Sequence, residues 1–299
     1  MQRRQFLKAS GLTLGLMSLL RNQSFADFLQ QSHSLSPLRK NVGIFSMQGG
    51  TIGWLINKDG VAVVDSQFPE PAAKLISEVK SRSGQPFRYL INTHHHGDHT
   101  SGNIAFKGLA QHVVAHANSL ENQKAVAAKQ KTEDKQLYPD KTFRDDMDFN
   151  VGDEQFKLYY FGAGHTNGDA IIHFKNANIV HMGDLVFNRK YPFIDRSAGA
   201  DISSWIKVLD TTLKKFDNDT LYIFGHALDP KKVTGKADDL RAFQHYLQRL
   251  LDHVSLQIKA GKSKQEILKI TAIPGAPQWQ GEGIERSLTA AYDEIMSKG

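Results

Sequence analysis

The chain has 299 residues, of which 40% are hydrophobic and 9% aromatic, and this composition supports one large globular domain rather than a disordered chain. Cysteine is absent, which excludes disulfide bonds, thiolate metal ligands and a cysteine nucleophile. The formal net charge of +6 falls to +2 without residues 1–26, because that segment carries four basic residues and no acidic one. So small an excess argues against a nucleic-acid-binding protein.

Residues 1–26 have the features of an export signal. The sequence RRQFLK at 3–8 is followed by an apolar run at 11–20 that is too short to span a bilayer. The segment resembles a twin-arginine signal, with cleavage after Ala26. We therefore expect export by the twin-arginine translocase to the periplasm or the medium, without a stable membrane span. A disordered basic tail or an uncleaved membrane anchor is the alternative.

The chain from residue 41 to 92 predicts strands with one helix among them. Short apolar runs bounded by turns indicate strands in the segments NVGIFSM, TIGWLIN, VAVVD and FRYLIN. The segment AAKLISEVKSR, residues 72–82, has apolar residues at helical spacing. Strands and helices in this order predict an α/β fold.

The second half uses similar units. Strands are predicted at FKLYYF, AIIHF, NIVHM and LYIF, and an amphipathic helix at SSWIKVLDTTLKKF. The polar stretch at 129–142 is interpreted as a connecting loop between the halves. From about residue 230 to 299 the pattern is helical, and we expect these C-terminal helices to pack against the rest of the domain.

Four predicted strands end in a glycine-containing turn that presents histidine or aspartate. FRYLIN leads into THHHGDH, FKLYYF into GAGHTNGD, NIVHM into the GD at 183–184, and LYIF into the GH at 225–226. Loops at strand ends are where rigid folds present functional groups. We therefore expect these turns to converge on one site.

The spacing inside the first turn predicts two metal positions. His94 and His96 are two residues apart, so in extended backbone they point the same way, whereas His95 points away and is a bystander. The glycine that follows lets the chain turn, so that Asp98 and His99 reach a second position nearby. One pair of ligands would hold each metal.

The later strand ends can complete both ligand sets. His165 would join the first pair, His226 would join the second, and the carboxylate of Asp184 could bridge the two metals. Imidazole and carboxylate suit zinc, iron or manganese, and open coordination positions are typical of a catalytic site. The predicted metal ligands are therefore His94, His96, Asp98, His99, His165, Asp184 and His226.

These motifs resemble the metallo-β-lactamase superfamily over roughly residues 41–229. The four motifs that carry the resemblance are HxHxDH at 94–99, GHT at 164–166, GD at 183–184 and GH at 225–226. The resemblance implies a four-layer αββα sandwich, with residues 27–299 as one hydrolase domain that includes the C-terminal helices. It also implies a dinuclear centre held by the seven predicted ligands.

The resemblance implies a hydrolase with two divalent metal ions, zinc first and iron or manganese as alternatives. Two cations lower the pKa of a bridging water, and the resulting hydroxide attacks an ester, thioester or lactone of a small molecule. Asp98 is the predicted catalytic residue, because its carboxylate can also hydrogen-bond this water.

Two features bear on the substrate. A bridging aspartate such as Asp184 resembles thioesterase, lactonase and phosphodiesterase members, whereas lactam-hydrolysing members usually have a cysteine or no bridging ligand there. The turn SMQGGT is also shorter than the mobile hairpin of those members. A genuine β-lactamase is therefore the alternative. An iron-dependent dioxygenase or a non-catalytic metal-binding protein is disfavoured by the complete ligand set.

Further candidates lie near these motifs. The segment at 185–200 is aromatic and basic, and it either lines a substrate pocket for a partly apolar, anionic molecule or forms an ordinary surface loop. Its predicted substrate-binding residues are Phe187, Tyr191, Phe193 and Arg196. Asp65 either orients a ligand histidine or forms a strand-end turn. His173 and His181 are expected to be structural. Nothing in the sequence indicates an oligomeric state.

Overall fold

The computed structural model of the chain describes residues 35–298, so the predicted export signal lies outside the described residues. Two large sheets dominate this part of the chain. None of the helices within residues 35–298 combines the length and apolar character needed to cross a bilayer.

The first sheet has seven strands in chain order. The first four pair antiparallel, and the fourth to the seventh pair parallel. The strands are β1 (Ser36–Arg39), β2 (Val42–Phe45), β3 (Ile52–Asn57), β4 (Gly60–Val64), β5 (Phe87–Ile91), β6 (His112–His116) and β7 (Lys141–Phe143). Four of the predicted strands coincide with β2 to β5.

The second sheet has six strands, and a separate pair of two-residue strands lies beside the predicted site. In space the order of the six is β15-β13-β11-β10-β9-β8, with β11 and β13 parallel. The strands of both units are β8 (Asp146–Val151), β9 (Glu154–Tyr159), β10 (Ile171–Phe174), β11 (Ile179–His181), β12 (Phe187–Asn188), β13 (Leu221–Ile223), β14 (His226–Ala227) and β15 (Thr234–Gly235).

Helices cover the outer faces of both sheets. The helices of residues 35–298 are α1 (Pro69–Arg82), α2 (Gly97–Thr100), α3 (Ala117–Gln130), α4 (Ile202–Lys215), α5 (Ala237–Lys259), α6 (Lys264–Ile267) and α7 (Ile284–Lys298). Of these, the short helix α2 belongs to the turn with the predicted ligands and covers neither sheet. The helices predicted at 72–82 and 203–216 correspond to α1 and α4. The C-terminal segment is less helical than predicted, because residues 268–283 form turns and irregular structure.

Three apolar cores separate the layers, and β4 illustrates how the sequence builds them. Ala62 and Val64 face the core between the two sheets, whereas Val61 and Val63 face the core under α1. This alternation follows from the two-residue period of a strand, and both faces are apolar because both are covered. On the far side, α4, α5 and α7 share one core with the second sheet. The fold is therefore the αββα sandwich that was predicted.

Several elements were missed by the sequence analysis, among them the strands β1, β6 and β8 and the helix α3. Strand β6 and helix α3 precede the stretch 129–142, which was interpreted only as a loop and contains the end of α3 and the start of β7. The buried residues of α3 are Ser119, Gln123 and Ala127, so the helix lacks the apolar stripe on which the prediction depends.

His173 is a buried histidine in the core next to α4, and its effect on stability can be tested. Its ring lies 4.8 Å from that of Phe216, and both ring nitrogens are buried without a hydrogen-bond partner. Burial lowers the pKa of His173 to about 4. Because the unfolded chain takes up this proton near pH 6.5 and the folded chain does not, stability is lost as the pH falls from 6.5 towards 4.

We expect His173→Phe to raise the free energy of unfolding at pH 7 by about 1 kcal/mol, because it removes two unpaired buried polar atoms. The gain should grow towards pH 5, as measured by urea denaturation. His245→Phe, at an exposed position of α5, is the control. Parallel pH profiles for His173→Phe and the unaltered chain would contradict the assignment.

Candidate metal centre

The seven predicted ligands lie together where strands of both sheets end. They follow β5 in the first sheet and β9, β11 and β13 in the second. Three groups of side chains present ligand atoms within 4.8 Å of one another. The first set is His94, His96, His165 and Asp184, and the second set is Asp98, His99 and His226. A third group, His95, His96 and Asp195, shares His96 with the first set. The first two groups coincide with the two sets proposed from the spacing, and their role in metal binding stays a prediction.

In the first set, nitrogen atoms of three imidazole rings lie close together. His96 Nδ1 lies 3.1 Å from His94 Nε2 and 2.8 Å from His165 Nε2. Because burial lowers the pKa of His94 and brings that of His165 to about 3, both rings are neutral. Neutral imidazole is the form that coordinates a metal.

The second set combines a carboxylate with two imidazoles. Asp98 Oδ2 lies 3.0 Å from His226 Nε2 and 3.7 Å from His99 Nε2. Burial alone would raise the pKa of Asp98, but the two histidines hold it at about 2. Burial alone would lower the pKa of His226, but Asp184 and Asp98 raise it to about 9. Positive charge is therefore favoured at this position.

The carboxylate of Asp184 lies between the two sets. Its Oδ2 is 3.5 Å from His165 Nε2 and 3.4 Å from His226 Nε2, while its Oδ1 is 3.0 Å from His99 Nε2. The side chain is almost fully buried. Asp184 therefore faces both sets, as a bridging ligand must.

The side chains of the two sets are suited to bind divalent cations. Although His99 Nε2 and Asp184 Oδ1 are 3.0 Å apart and buried, neither makes a hydrogen bond. Unpaired buried polar atoms are costly unless another partner binds them. Nitrogen and oxygen atoms that converge without bonding one another are the donor set that zinc prefers.

Asp65 contacts His99 of the second set directly and is linked to His94 of the first set through Thr93. The carboxylate is fully buried at the end of β4, and its Oδ2 lies 2.7 Å from His99 Nδ1. Thr93 donates its hydroxyl to Asp65 (2.7 Å), and the same hydroxyl lies 3.0 Å from His94 Nδ1. Asp65 also has a φ of +64°, a strained value for an aspartate. This geometry matches the interpretation of Asp65 as a residue that orients ligand histidines.

Two further orienting contacts come from the segment after Asp184, and the sequence analysis missed both. Asp195 Oδ2 lies 2.9 Å from His96 Nε2, and His165 donates from Nδ1 to the carbonyl oxygen of Phe193 (2.7 Å). His95 lies outside both sets, and its Nε2 is 3.7 Å from Asp195 Oδ2. No local motif marks Asp195, because its role depends on the path of the loop.

Glycines permit the close packing of the centre. A methyl group on Gly225 would overlap the Asp184 carboxylate, and one on Gly50 would overlap the His99 ring. The short turn between β2 and β3 therefore lies directly against a predicted ligand.

Only part of the predicted substrate-binding set lies at the centre. The Phe193 ring is 40% exposed and 5.3 Å from the His96 ring, and the buried Phe187 ring stacks on His226 at 5.4 Å. Tyr191 and Arg196 contact the C-terminal segment instead. The Tyr191 hydroxyl donates to Thr271 O (3.4 Å).

The contacts of Arg196 are also directed away from the centre. Its guanidinium donates to Ala200 O (2.5 Å) and to Glu294 Oε2 (3.3 Å). The expectation that Tyr191 and Arg196 contact substrate is therefore corrected. Composition suggested a pocket, but these two side chains stabilise the loop.

His181 has the structural role that was predicted. Its Nε2 donates to Thr51 O (3.0 Å), and its Nδ1 accepts from the Gly183 amide (3.1 Å). The ring thus links the two sheets directly below the centre.

Comparison with known proteins gives a consistent result. A family model for the metallo-β-lactamase superfamily matches residues 49–226. The metallo-β-lactamase type 2 of Elizabethkingia meningoseptica is 27% identical over 66% of this chain and 76% of its own length. Metallo-β-lactamase IND-1 of Chryseobacterium indologenes is 24% identical over 64% of this chain and 80% of its own.

Solved structures share the fold. A metallo-β-lactamase from Pontibacter korlensis has a TM-score of 0.61 at 22% identity and covers 72% of this chain and 98% of its own. The inverting sec-alkylsulfatase from Pseudomonas sp. has a TM-score of 0.70 at 14% identity and covers 88% of this chain and 50% of its own.

Asp184→Asn tests the position of this carboxylate between the two sets. We expect zinc content to fall by about one ion per chain, because an amide binds zinc more weakly than a carboxylate. Elemental analysis after dialysis measures it. Asp169→Asn is the matched control, since Asp169 is buried nearby but accepts from Thr166 (2.7 Å) rather than facing either set. An unchanged zinc content in Asp184→Asn would exclude the bridging position.

Proposed function

Because the chain belongs to the metallo-β-lactamase superfamily of hydrolases, we propose that it is a dinuclear metal-dependent hydrolase of a small-molecule ester, thioester or lactone. The observation that carries this proposal is the Asp184 carboxylate, which faces both ligand sets without a hydrogen bond from His99. Zinc is the proposed metal, with iron or manganese as alternatives, because all seven donors are imidazole or carboxylate.

The proposed ligands of one metal are His94, His96 and His165, and those of the other are Asp98, His99 and His226, with Asp184 shared. When bound, such cations make water acidic and polarise the bond under attack.

Asp98 is the proposed catalytic residue. Its side chain is 31% exposed, whereas that of Asp184 is 4% exposed. The Asp98 carboxylate therefore reaches the open side of the centre, where it can accept a hydrogen bond from the attacking water and orient it. The remaining ligands are more buried and lie behind it.

The substrate class follows from features around Asp184. An aspartate rather than a cysteine occupies that position, and the turn between β2 and β3 is short. These features favour an ester, thioester or lactone. A genuine β-lactamase is the second candidate, because the relatives found among curated proteins carry that name. A sulfate ester is also included in the test. The alkylsulfatase structure covers 88% of this chain, whereas the Pontibacter korlensis metallo-β-lactamase covers 72%.

Export by the twin-arginine translocase to the periplasm or the medium remains our proposal for residues 1–26. It is supported by the RRQFLK sequence and the short apolar run that follows. The only other partner we propose is the small-molecule substrate.

A hydrolysis panel tests the reaction. We expect turnover of a lactone, thioester or carboxylic ester that requires added zinc and is abolished by a chelator and by His165→Ala. Nitrocefin, a phosphodiester and a sec-alkyl sulfate complete the panel. Turnover of nitrocefin alone would favour the β-lactamase. No turnover by the fully zinc-loaded chain would contradict a hydrolase.

Phe193→Ala tests an aromatic side chain that is both exposed and beside the first set. We expect KM for a substrate with an apolar group to rise about tenfold, because burial on the ring contributes about 1.5 kcal/mol. Zinc content should not change, since His165 contacts the backbone carbonyl of Phe193. Leu256→Ala on α5 is an exposed, distant control. An unaltered KM for every substrate of the panel would remove Phe193 from the binding site.

A further inference from the structure

Helix α7 holds both ends of one loop, residues 192–201. At the first end, the Ser287 hydroxyl donates to Pro192 O (2.9 Å), and Ser287 is fully buried. Within the loop, Glu294 Oε2 accepts from Arg196 Nη1 (3.3 Å), and directly after its other end it accepts from the amide of Ile202, the first residue of α4 (2.7 Å).

Glu294 is unusual for a charged residue on a helix at the protein surface, because its side chain is 1% exposed. Besides Ile202, it accepts from the amide (3.0 Å) and hydroxyl (2.8 Å) of Ser203, so it satisfies donors at the first turn of α4. A carboxylate is stabilised at a helix N-terminus. A buried charge nevertheless adds little net stability compared with a well-packed apolar residue, so its role here is to set the position of α7 relative to α4 and the loop.

The opposite side of this loop contacts the metal centre. Phe193 O accepts from His165 Nδ1 (2.7 Å), and Asp195 Oδ2 lies 2.9 Å from His96 Nε2. Phe193 follows Pro192 directly and Asp195 precedes Arg196 directly. Each contact to a ligand histidine is thus one residue from a residue that α7 holds.

The second ligand set has other supports. His99 is oriented by Asp65 at the end of β4, and the Phe187 ring stacks on His226. The contacts described for α7 reach this loop and the first turn of α4, and none of them involves Asp65 or Phe187. Displacement of the loop should therefore affect the two sets unequally.

From these contacts we propose that Ser287 and Glu294 are positioning residues of the metal centre. They fix the 192–201 loop and, through Phe193 O and Asp195, the imidazole rings of His96 and His165. The inference rests on the proposed function, since it requires that these histidines bind a metal.

Zinc affinity of the full chain measures this role. A titration against a chromophoric chelator gives two stepwise dissociation constants. We expect Glu294→Gln and Ser287→Ala each to raise one dissociation constant about tenfold and to leave the other within about twofold. Tenfold is the smaller of the effects that are typical when a residue that orients a metal ligand is replaced. In a His165→Ala background, which disables the first set, Glu294→Gln should no longer change the remaining constant.

Hydrogen exchange in the zinc-free chain gives a readout that is independent of activity. The amides of Asp195 and Ala200 are hydrogen-bonded in the loop, to His165 O (3.2 Å) and Asp195 O (3.0 Å). We expect both to exchange faster in Glu294→Gln and in Ser287→Ala, because the loop opens more often when one end is released.

Asp293→Asn is the matched control. It makes the same carboxylate-to-amide change on the same helix, but Asp293 pairs with Lys264 (2.6 Å), on α6. Unchanged zinc constants in folded Glu294→Gln and Ser287→Ala would overturn the inference and leave the proposed function intact. Equal weakening of both constants, or an equal effect of Asp293→Asn, would also overturn it. Failure of the unaltered chain to bind zinc would remove the proposed function itself.

Discussion

A buried carboxylate that lies within 4 Å of nitrogens from four imidazole rings is the constraint around which this molecule is organised. Asp184 cannot remain charged in an apolar interior unless positive charge lies beside it. Its neighbours hold its pKa well below the usual range, despite the opposing effect of burial. Gly225 leaves room for the carboxylate, since any larger residue there would overlap it. Although burial opposes the charged form, Asp184 and Asp98 raise the pKa of His99 and His226, which favours the protonated rings, and cations can replace those protons.

The sandwich architecture follows from the same requirement. The first sheet contributes His94 to His99 after β5, whereas the second contributes His165, Asp184 and His226 after three of its strands. Neither sheet holds a complete set of ligands by itself. The apolar core between the sheets therefore determines whether the centre exists, and contacts such as that of His181 with Thr51 O keep the two halves in register below it.

Local patterns were sufficient for an α/β fold and for the seven clustered positions, whereas the four-layer sandwich was predicted from the resemblance of the motifs to a superfamily. Period-two apolar strands ended in short polar turns, and the spacing of His94 and His96 fixed their common direction. Tyr191 and Arg196 were misplaced because composition carries no information about the direction in which a loop side chain points. Asp195 and Glu294 escaped notice because their contacts span 99 and 92 residues along the chain. Helix α3 was missed because its buried face is largely polar.

The loop at 192–201 serves two roles, one on each of its sides. Its outer side presents the exposed ring of Phe193 to whatever molecule approaches the centre, and its inner side orients His96 and His165. Substitutions that reshape the opening for a new substrate are therefore also substitutions in the support of the metal ligands. A substitution in this segment therefore affects substrate selectivity and metal binding together. This coupling limits the sequence changes that the loop tolerates, even though much of it lies at the surface.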